Sequence, residues 1–584
     1  MSSCGNPVVE GEALMPRRMK FGDRSAKVCI RCKSNMGNIV IRHAVYCKDC
    51  FSPSVLTKFR KALESTINPP GTASSKNQFK AEGGVLVALS GGLGSTVLLS
   101  ILDDLYVSRT RKKPERPKAK EKAKDSLSEP LKTNGKEAKI KDKDSNGIDK
   151  GTQHPRRGQV WQGTPGVVYV ECCGAFPNMV DRTDELRTLI ASRYSKFEFV
   201  PRRLEDAFDP AFWREVYEDD AHQVLHLELA SDGLPAPELK ISPARSSTRS
   251  PSPAEALRAY LSALPTQTAV QSAVKTLMRV IALHTAHARR ASHLLFGTPL
   301  TSVSVSLIAG IAQGDGYAVR EELYEEWSPP LPSDPSIMRE ASRNGGGEEQ
   351  SISRPRAVRL VRPLRDVTLK ECALYAWWNS VEILGHPRLA RAGQSIYGLT
   401  KDFIMGLEKD YPSTVSAIFR TLAKVEPKDQ SVDWCVICQR PMPHGIQQWK
   451  SQISIRTPEM LAAAKTNVPL DADVSDNVSP ASDPSSITPY LCYACHTTLT
   501  SRGSAALRKN NAPAPFAASA RLPVWVHSSL TQSRDPAGLK KASEANGVED
   551  ANEDEVWRVR RVERAEMREG IKAFLLEHED EEDD

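Results

Sequence analysis

Two patterns in this 584-residue chain could do chemistry: a glycine-rich turn able to hold a phosphate, and four Cys-x-x-Cys pairs able to hold metal. The turn is Ser90-Gly91-Gly92-Leu93-Gly94-Ser95-Thr96, which interrupts an apolar run from Val85 to Leu89. Glycine lets a backbone turn tightly and come close to a ligand, and the unpaired N–H groups of a following helix attract anions. Ser90, Gly91, Gly92, Gly94, Ser95 and Thr96 are therefore candidate phosphate-binding residues. No Lys follows in the Gly-Lys-Ser/Thr arrangement, which excludes a Walker loop.

Eight of the 12 cysteines form the pairs Cys29/Cys32, Cys47/Cys50, Cys435/Cys438 and Cys492/Cys495. Each pair can place two thiolates on one side of a turn, and two pairs supply the tetrahedral set of a structural zinc site. Fourteen residues separate the first two pairs, the length of a small zinc ribbon. The second set spans a 53-residue gap, much of it the Asp-, Ser- and Pro-rich stretch 470–489, which is expected to loop out. Two zinc ions are expected, with His43 and His496 as bystanders, and with four thiolates closing each shell the sites support folding rather than reaction.

These groups need elements to position them. Val85–Leu89 suits a strand buried on both faces, and Val97, Leu98, Ile101, Leu102 and Leu105 recur at helical spacing. Val167–Val170 reads as a second strand of a doubly wound sheet, with Cys172 and Cys173 at its carboxyl end, where ligands bind in such folds. A catalytic thiol there is one reading and a pair of small buried residues the other. Val270, Val274, Leu277, Ile281 and His284 form a core stripe, and the segment 369–378 reads as a helix that buries Cys372. His284, His287 and His293 are read in one helical run; Arg279, Arg289 and Arg290 are read either as phosphate contacts or as a solvated face.

The net charge of +7 belongs to one segment: Arg109 to Arg157 holds 17 Lys and Arg against 8 acidic residues. With almost no apolar periodicity it reads as a disordered insert, a solvated loop or an arm drawn to nucleic-acid phosphates. Ser242 to Pro253 reads as a linker, Val556 to Leu576 as a charged helix and Glu577 to Asp584 as an acidic tail; Cys4 falls in a disordered terminus. No apolar run reaches the roughly 18 residues of a membrane span, and the N-terminal residues lack the form of a signal peptide, so a cytoplasmic or nuclear protein is expected.

The Ser90–Thr96 turn resembles the Ser-Gly-Gly-x-Asp-Ser loop of PP-loop ATP pyrophosphatases, which bind ATP and adenylate a substrate carbonyl; Gly94 stands where that family carries Asp. With the cysteine pairs, the segment His293–Thr301 and Arg362-Pro363-Leu364-Arg365-Asp366, the chain resembles the cytoplasmic tRNA 2-thiolation protein 2 family. The resemblance implies an α/β doubly wound domain of the adenine nucleotide α-hydrolase type, flanked by zinc-ribbon elements. The expected layout is a zinc ribbon and linker over 1–70; a degenerate PP-loop domain over 71–310, with inserts at 107–160 and 242–253; a helical extension over 311–430; a zinc-binding region over 431–505; and a tail over 506–584.

The stretch Thr298–Ser302 lacks the acidic pair of active thiolases, and 283–290 lacks their cysteine. Sulfur transfer needs a reactive thiolate or cluster, and nucleotide activation needs carboxylates to hold Mg²⁺. The resemblance accordingly implies a non-catalytic subunit, with no catalytic residue of its own and ATP binding in doubt. It would form a heterodimer with a catalytic PP-loop thiolase, bind tRNA, and act where sulfur passes from a thiocarboxylated ubiquitin-related modifier to C2 of the C5-modified wobble uridine of lysine, glutamate and glutamine tRNAs. Two alternatives stay open: an active ATP-dependent tRNA sulfurtransferase, and a zinc-ribbon RNA-binding scaffold.

Overall fold

The computed structural model describes residues 28–42, 44–67, 80–108, 160–176, 178–217, 225–231, 238–243, 251–323, 325–329, 357–385, 395–425, 433–443, 486–501 and 520–533. Outside them lie Cys4, His43, the expected basic insert apart from Val107, Ser108 and Val160, most of the 242–253 linker, residues 470–485 of the expected loop, the charged helix and the acidic tail.

A hairpin of β1 (Ile39–Ile41) and β2 (Ala44–Tyr46) leads into helix α1 (Lys48–Ile67). Then come β3 (Gly84–Ala88), α2 (Leu93–Leu102), β4 (Gly166–Glu171), α3 (Thr183–Arg193), β5 (Glu198–Arg203) and α4 (Pro210–Tyr217). The antiparallel pair β6 (Leu225–Ser231) and β7 (Glu238–Pro243) precedes α5 (Pro253–Ala263), α6 (Gln267–Ala288), β8 (Ala291–Phe296) and α7 (Leu300–Ala312). Next are α8 (Val319–Leu323), β9 (Glu325–Trp327), β10 (Val358–Val361), α9 (Leu369–Trp378), α10 (Ile396–Asp410) and α11 (Thr414–Leu422). The hairpin β11 (Asp433–Trp434) and β12 (Pro441–Met442), α12 (Tyr493–Thr500), β13 (Ala520–Arg521) and α13 (Trp525–Ser533) complete the described residues.

The central sheet has the order β5-β4-β3-β8-β10-β9, parallel except for the edge strand β9. The chain winds outward from β3 through β4 to β5 and then restarts on its other side at β8, so the topological switch point lies between β3 and β8. Alternation along β3 explains why the strand is apolar throughout. Val85 and Val87 join a core with α1, α2, α3 and α9, whereas Leu86 joins the opposite core with Ala282, Leu283 and Ala286 of α6. Capping boxes at Ser252/Glu255 and Thr368/Glu371 fix the starts of α5 and α9.

The other face of α6 builds a further core: Val274, Leu277, Val280 and Ile281 pack with α5, β6, β7, the second cysteine set and α13. Three expectations change here. The sheet does not end at residue 310, because β9 and β10 complete it; β9 is only three residues long, two of them Glu, and carries no apolar alternation to announce it. Ser242 and Pro243 belong to β7 rather than to a linker. The end of the 470–489 stretch is not looped out either: Ile487 N–H donates to the Leu239 carbonyl at 3.0 Å, and Leu239 N–H to Thr488 Oγ1 at 2.9 Å.

Candidate functional site

At the switch point, Ala88 ending β3 pairs with Phe296 ending β8, so the turns that leave them are neighbours. The Ser90–Thr96 turn bonds largely to itself. Ser90 N–H donates to Ser95 Oγ at 3.2 Å, Gly92 N–H lies 3.4 Å from Ser90 Oγ, and the Gly92 carbonyl accepts from Ser95 Oγ at 3.1 Å and Thr96 Oγ1 at 2.9 Å. Gly91 takes the left-handed φ of +73°, which favours glycine, and its carbonyl accepts the Gly385 N–H at 3.1 Å. The first turn of α2 meets the turn after β8 so closely that a Cβ on Gly94 would lie 2.1 Å from the Gly297 carbonyl oxygen.

Both cysteine sets converge. In each, one ligand atom per cysteine lies within 4.8 Å of every other, and the pairs Cys32–Cys47 and Cys438–Cys492 stand 3.8 Å apart at sulfur. Backbone N–H groups of Asn35 and Cys495 point at the sulfurs of Cys32 and Cys492, at 3.5 and 3.4 Å, a pattern that favours the thiolate a metal requires. Each set of four thiol donors can hold one metal ion.

Their surroundings differ. In the first set, Cys32 and Cys50 are half-buried beside the β1–β2 hairpin; the second set lies in the core around α6. There the knuckle Cys435–Arg440 meets a buried charge network. Arg279 of α6 makes a two-pronged ion pair with Glu325 of β9, with Nε to Oε2 at 3.1 Å, and donates from Nη1 to the Cys438 carbonyl at 2.6 Å. Arg440 reaches Glu322 at 2.9 Å and Asp315 at 3.2 Å, while Glu322 also receives Lys275 and Arg362. Despite burial, these three cations hold the Glu322 carboxyl well below its ordinary range. His284 Nε2 and Trp327 Nε1 both bond Gln439 Oε1, at 2.9 and 3.2 Å.

Several sequence candidates resolve differently. Arg279 is not a phosphate contact, since burial and Glu325 occupy it, and Arg289 pairs with Glu198. His293 lies in β8 rather than in the helical run; it bonds the Thr66 carbonyl and Ser292 Oγ, and burial lowers its pKa to about 4. Cys172 and Cys173 do follow β4, yet burial and the Glu171 carboxylate push both thiols up to about 12, the reverse of an activated nucleophile. Cys372 is buried in α9, as expected. Sequence reading missed Gly297, Gly385, Glu322 and Gln439. Only Gly297, placed directly after an apolar strand, carried a local signal.

A family model described as cytoplasmic tRNA 2-thiolation protein 2 matches residues 395–497. Relatives bearing that description include the 2-A protein of Xenopus laevis, 24% identical over 456 residues, or 74% of this chain and 76% of that one. The protein of Phaeosphaeria nodorum is 22% identical, covering 83% of this chain and 98% of its own length. That of Danio rerio is 31% identical over 31% of this chain and 34% of its own. Among solved structures, the U34-tRNA thiolase NcsA from Methanococcus maripaludis with its 4Fe-4S cluster aligns at 15% identity and a TM-score of 0.36, over 70% of this chain and 95% of that one. Over most of its length the chain is similar to proteins of the cytoplasmic tRNA 2-thiolation protein 2 family.

Proposed function

We propose that this chain is the non-catalytic partner of a PP-loop thiolase in the cytoplasm, forming a heterodimer that places sulfur on C2 of the C5-modified wobble uridine of lysine, glutamate and glutamine tRNAs. The sulfur would come from a thiocarboxylated ubiquitin-related modifier. The observation that carries this reading is Gly94: at the position where active loops present an aspartate, this chain presents a hydrogen against the Gly297 carbonyl. Without a carboxylate in this turn Mg²⁺ has no anchor beside the phosphates, and among the described cysteines outside the two metal sets burial holds every thiol high, so none is poised to accept sulfur. What remains is support: a rigid α/β body to stabilise the partner and help hold tRNA.

Zinc is the proposed metal of both cysteine sets. A tetrahedron with zinc–sulfur bonds of about 2.3 Å has sulfur–sulfur edges of about 3.8 Å, matching the 3.8 Å between Cys32 and Cys47 and between Cys438 and Cys492. When bound, zinc supplies cross-links between distant segments. The 1–70 ribbon and the 431–505 region are proposed as its two carriers, around the α/β domain.

Reconstitution tests the division of labour. The PP-loop thiolase is to be assayed with and without an equimolar amount of this chain, following 2-thiouridine in tRNA. Thiolation should depend on the pair, which should co-elute as a 1:1 complex containing two zinc ions from this subunit. Full thiolation by the thiolase alone would remove the proposal.

A further inference from the structure

The crevice between the carboxyl ends of β3 and β8 is where a doubly wound fold offers a nucleotide its phosphate site. In this chain the two turns that border that space meet backbone to backbone. A Cβ on Gly94 would meet the Gly297 oxygen at 2.1 Å and Pro299 Cδ at 3.0 Å; a Cβ on Gly297 would meet Ser95 Cα at 2.3 Å and Ser95 N at 2.5 Å. Real Cβ atoms do not approach this closely, so the two glycines form a matched pair that lets the β8–α7 turn rest on the first turn of α2. The N–H groups of that first turn are the ones a phosphate would use, and Gly297 lies over Ser95 N.

A second cover lies over the bend. The Gly385 carbonyl stands where a Cβ on Gly91 would meet it at 2.9 Å, and Gly385 N–H donates to the Gly91 carbonyl at 3.1 Å. Arg182 in turn donates to the Leu384 carbonyl, which ties the covering segment to the start of α3. The hydroxyls of Ser90, Ser95 and Thr96, which could face a phosphate, bond within the turn instead.

We infer that the loop is not an anion site weakened by one substitution but a closed structural junction that excludes nucleotide phosphates, sealed by Gly94 against Gly297 and by Gly91 against Gly385. The inference deepens the non-catalytic reading and rests on it. Restoring the aspartate cannot reopen the site, because the side chain has no room until α2 and the β8–α7 turn separate. Gly94 and Gly297 thus act as packing residues, and the switch point serves to hold the two halves of the sheet together.

The test uses the full-length, metal-loaded chain. A nucleotide present at about 100 times its dissociation constant raises the melting temperature of a domain this size by roughly 5–10 °C. With 5 mM ATP and Mg²⁺ the expected shift is zero, and photolabelling with an azido-ATP should leave the peptide spanning residues 85–102 unmodified. Gly94→Ala and Gly94→Asp should each lower the melting temperature by several degrees, with Asp the larger effect and neither gaining ATP binding. A reproducible ATP-dependent rise with label in the 85–102 peptide would overturn the closure, as would a Gly94→Asp variant that melts like the parent. Should the variants fail to fold, the ATP measurement on the unaltered chain still decides. Loss of closure leaves tRNA thiolation data untouched, so its failure is distinguishable from failure of the subunit role.

Discussion

Replacing Arg279 by Met removes the cation that joins α6, β9 and the second cysteine knuckle while keeping most of the side-chain volume. Glu325 would then be left almost fully buried with its two-pronged partner gone, and the Cys438 carbonyl would lose its donor. Breaking a buried pair from one side costs about 3–5 kcal/mol. Arg440 stands 4.0 Å from Glu325 Oε2 and still offsets part of the charge, which places the expected cost near 3 kcal/mol. At about 2–4 °C per kcal/mol for a domain of this size, the melting temperature should fall by about 6–12 °C. Scanning calorimetry of the metal-loaded chain reads this directly. Adding Glu325→Gln to Arg279→Met should recover part of the loss, because the stranded charge disappears. The same variant should release one metal ion to a chelator faster than the parent and leave the other unchanged, since only the second cysteine set is anchored by Arg279. A melting temperature within 2 °C of the parent, or a double variant no better than the single, would refute this role for the network.

Other expectations follow from individual groups. His293 is neutral in the fold with a pKa near 4, against about 6.5 when unfolded. The unfolded chain therefore takes up the proton first; this stability is fully present above about pH 6.5 and declines toward pH 4, by about 3 kcal/mol, and His293→Gln should flatten that part of the stability profile in pH-dependent denaturant titrations. Cys172 and Cys173, with thiols held near 12, should resist iodoacetamide at pH 7.5 in the native chain. Replacing both by Ser should leave thiolation by the reconstituted pair unchanged, and a tenfold loss would mean the thiols do chemistry. Cys435→Ser should cost one of two bound metals and unfold the core around α6, whereas Cys32→Ser should cost one metal with a smaller change in melting temperature, both read by metal analysis and thermal melts.

The parts legible in the sequence were those whose signal is local. The strand, turn and helix around Ser90 announce themselves because β3 is buried on both faces and α2 restarts a helical period at once. Paired cysteines announce a metal site because two-residue spacing is a property of the knuckle itself. What stayed hidden depends on contacts between distant residues. Nothing near Gly94 reveals that Gly297, about 200 residues on, fills the space above it, and nothing in Arg279 separates a buried ion pair from a solvated face until Glu325 is placed opposite. The edge strand β9 was lost for a related reason: Glu325 sits in a strand because Arg279 compensates it, so the residue reads as surface where it is core.

Nucleoside mass spectrometry of total tRNA from cells lacking this chain tests the subunit role most directly. Loss of the 2-thiolated wobble uridine, with build-up of its C5-modified but unthiolated precursor and rescue by the Cys172→Ser/Cys173→Ser double variant, is the expected result. An unchanged nucleoside profile in those cells would contradict a role in sulfur transfer to tRNA.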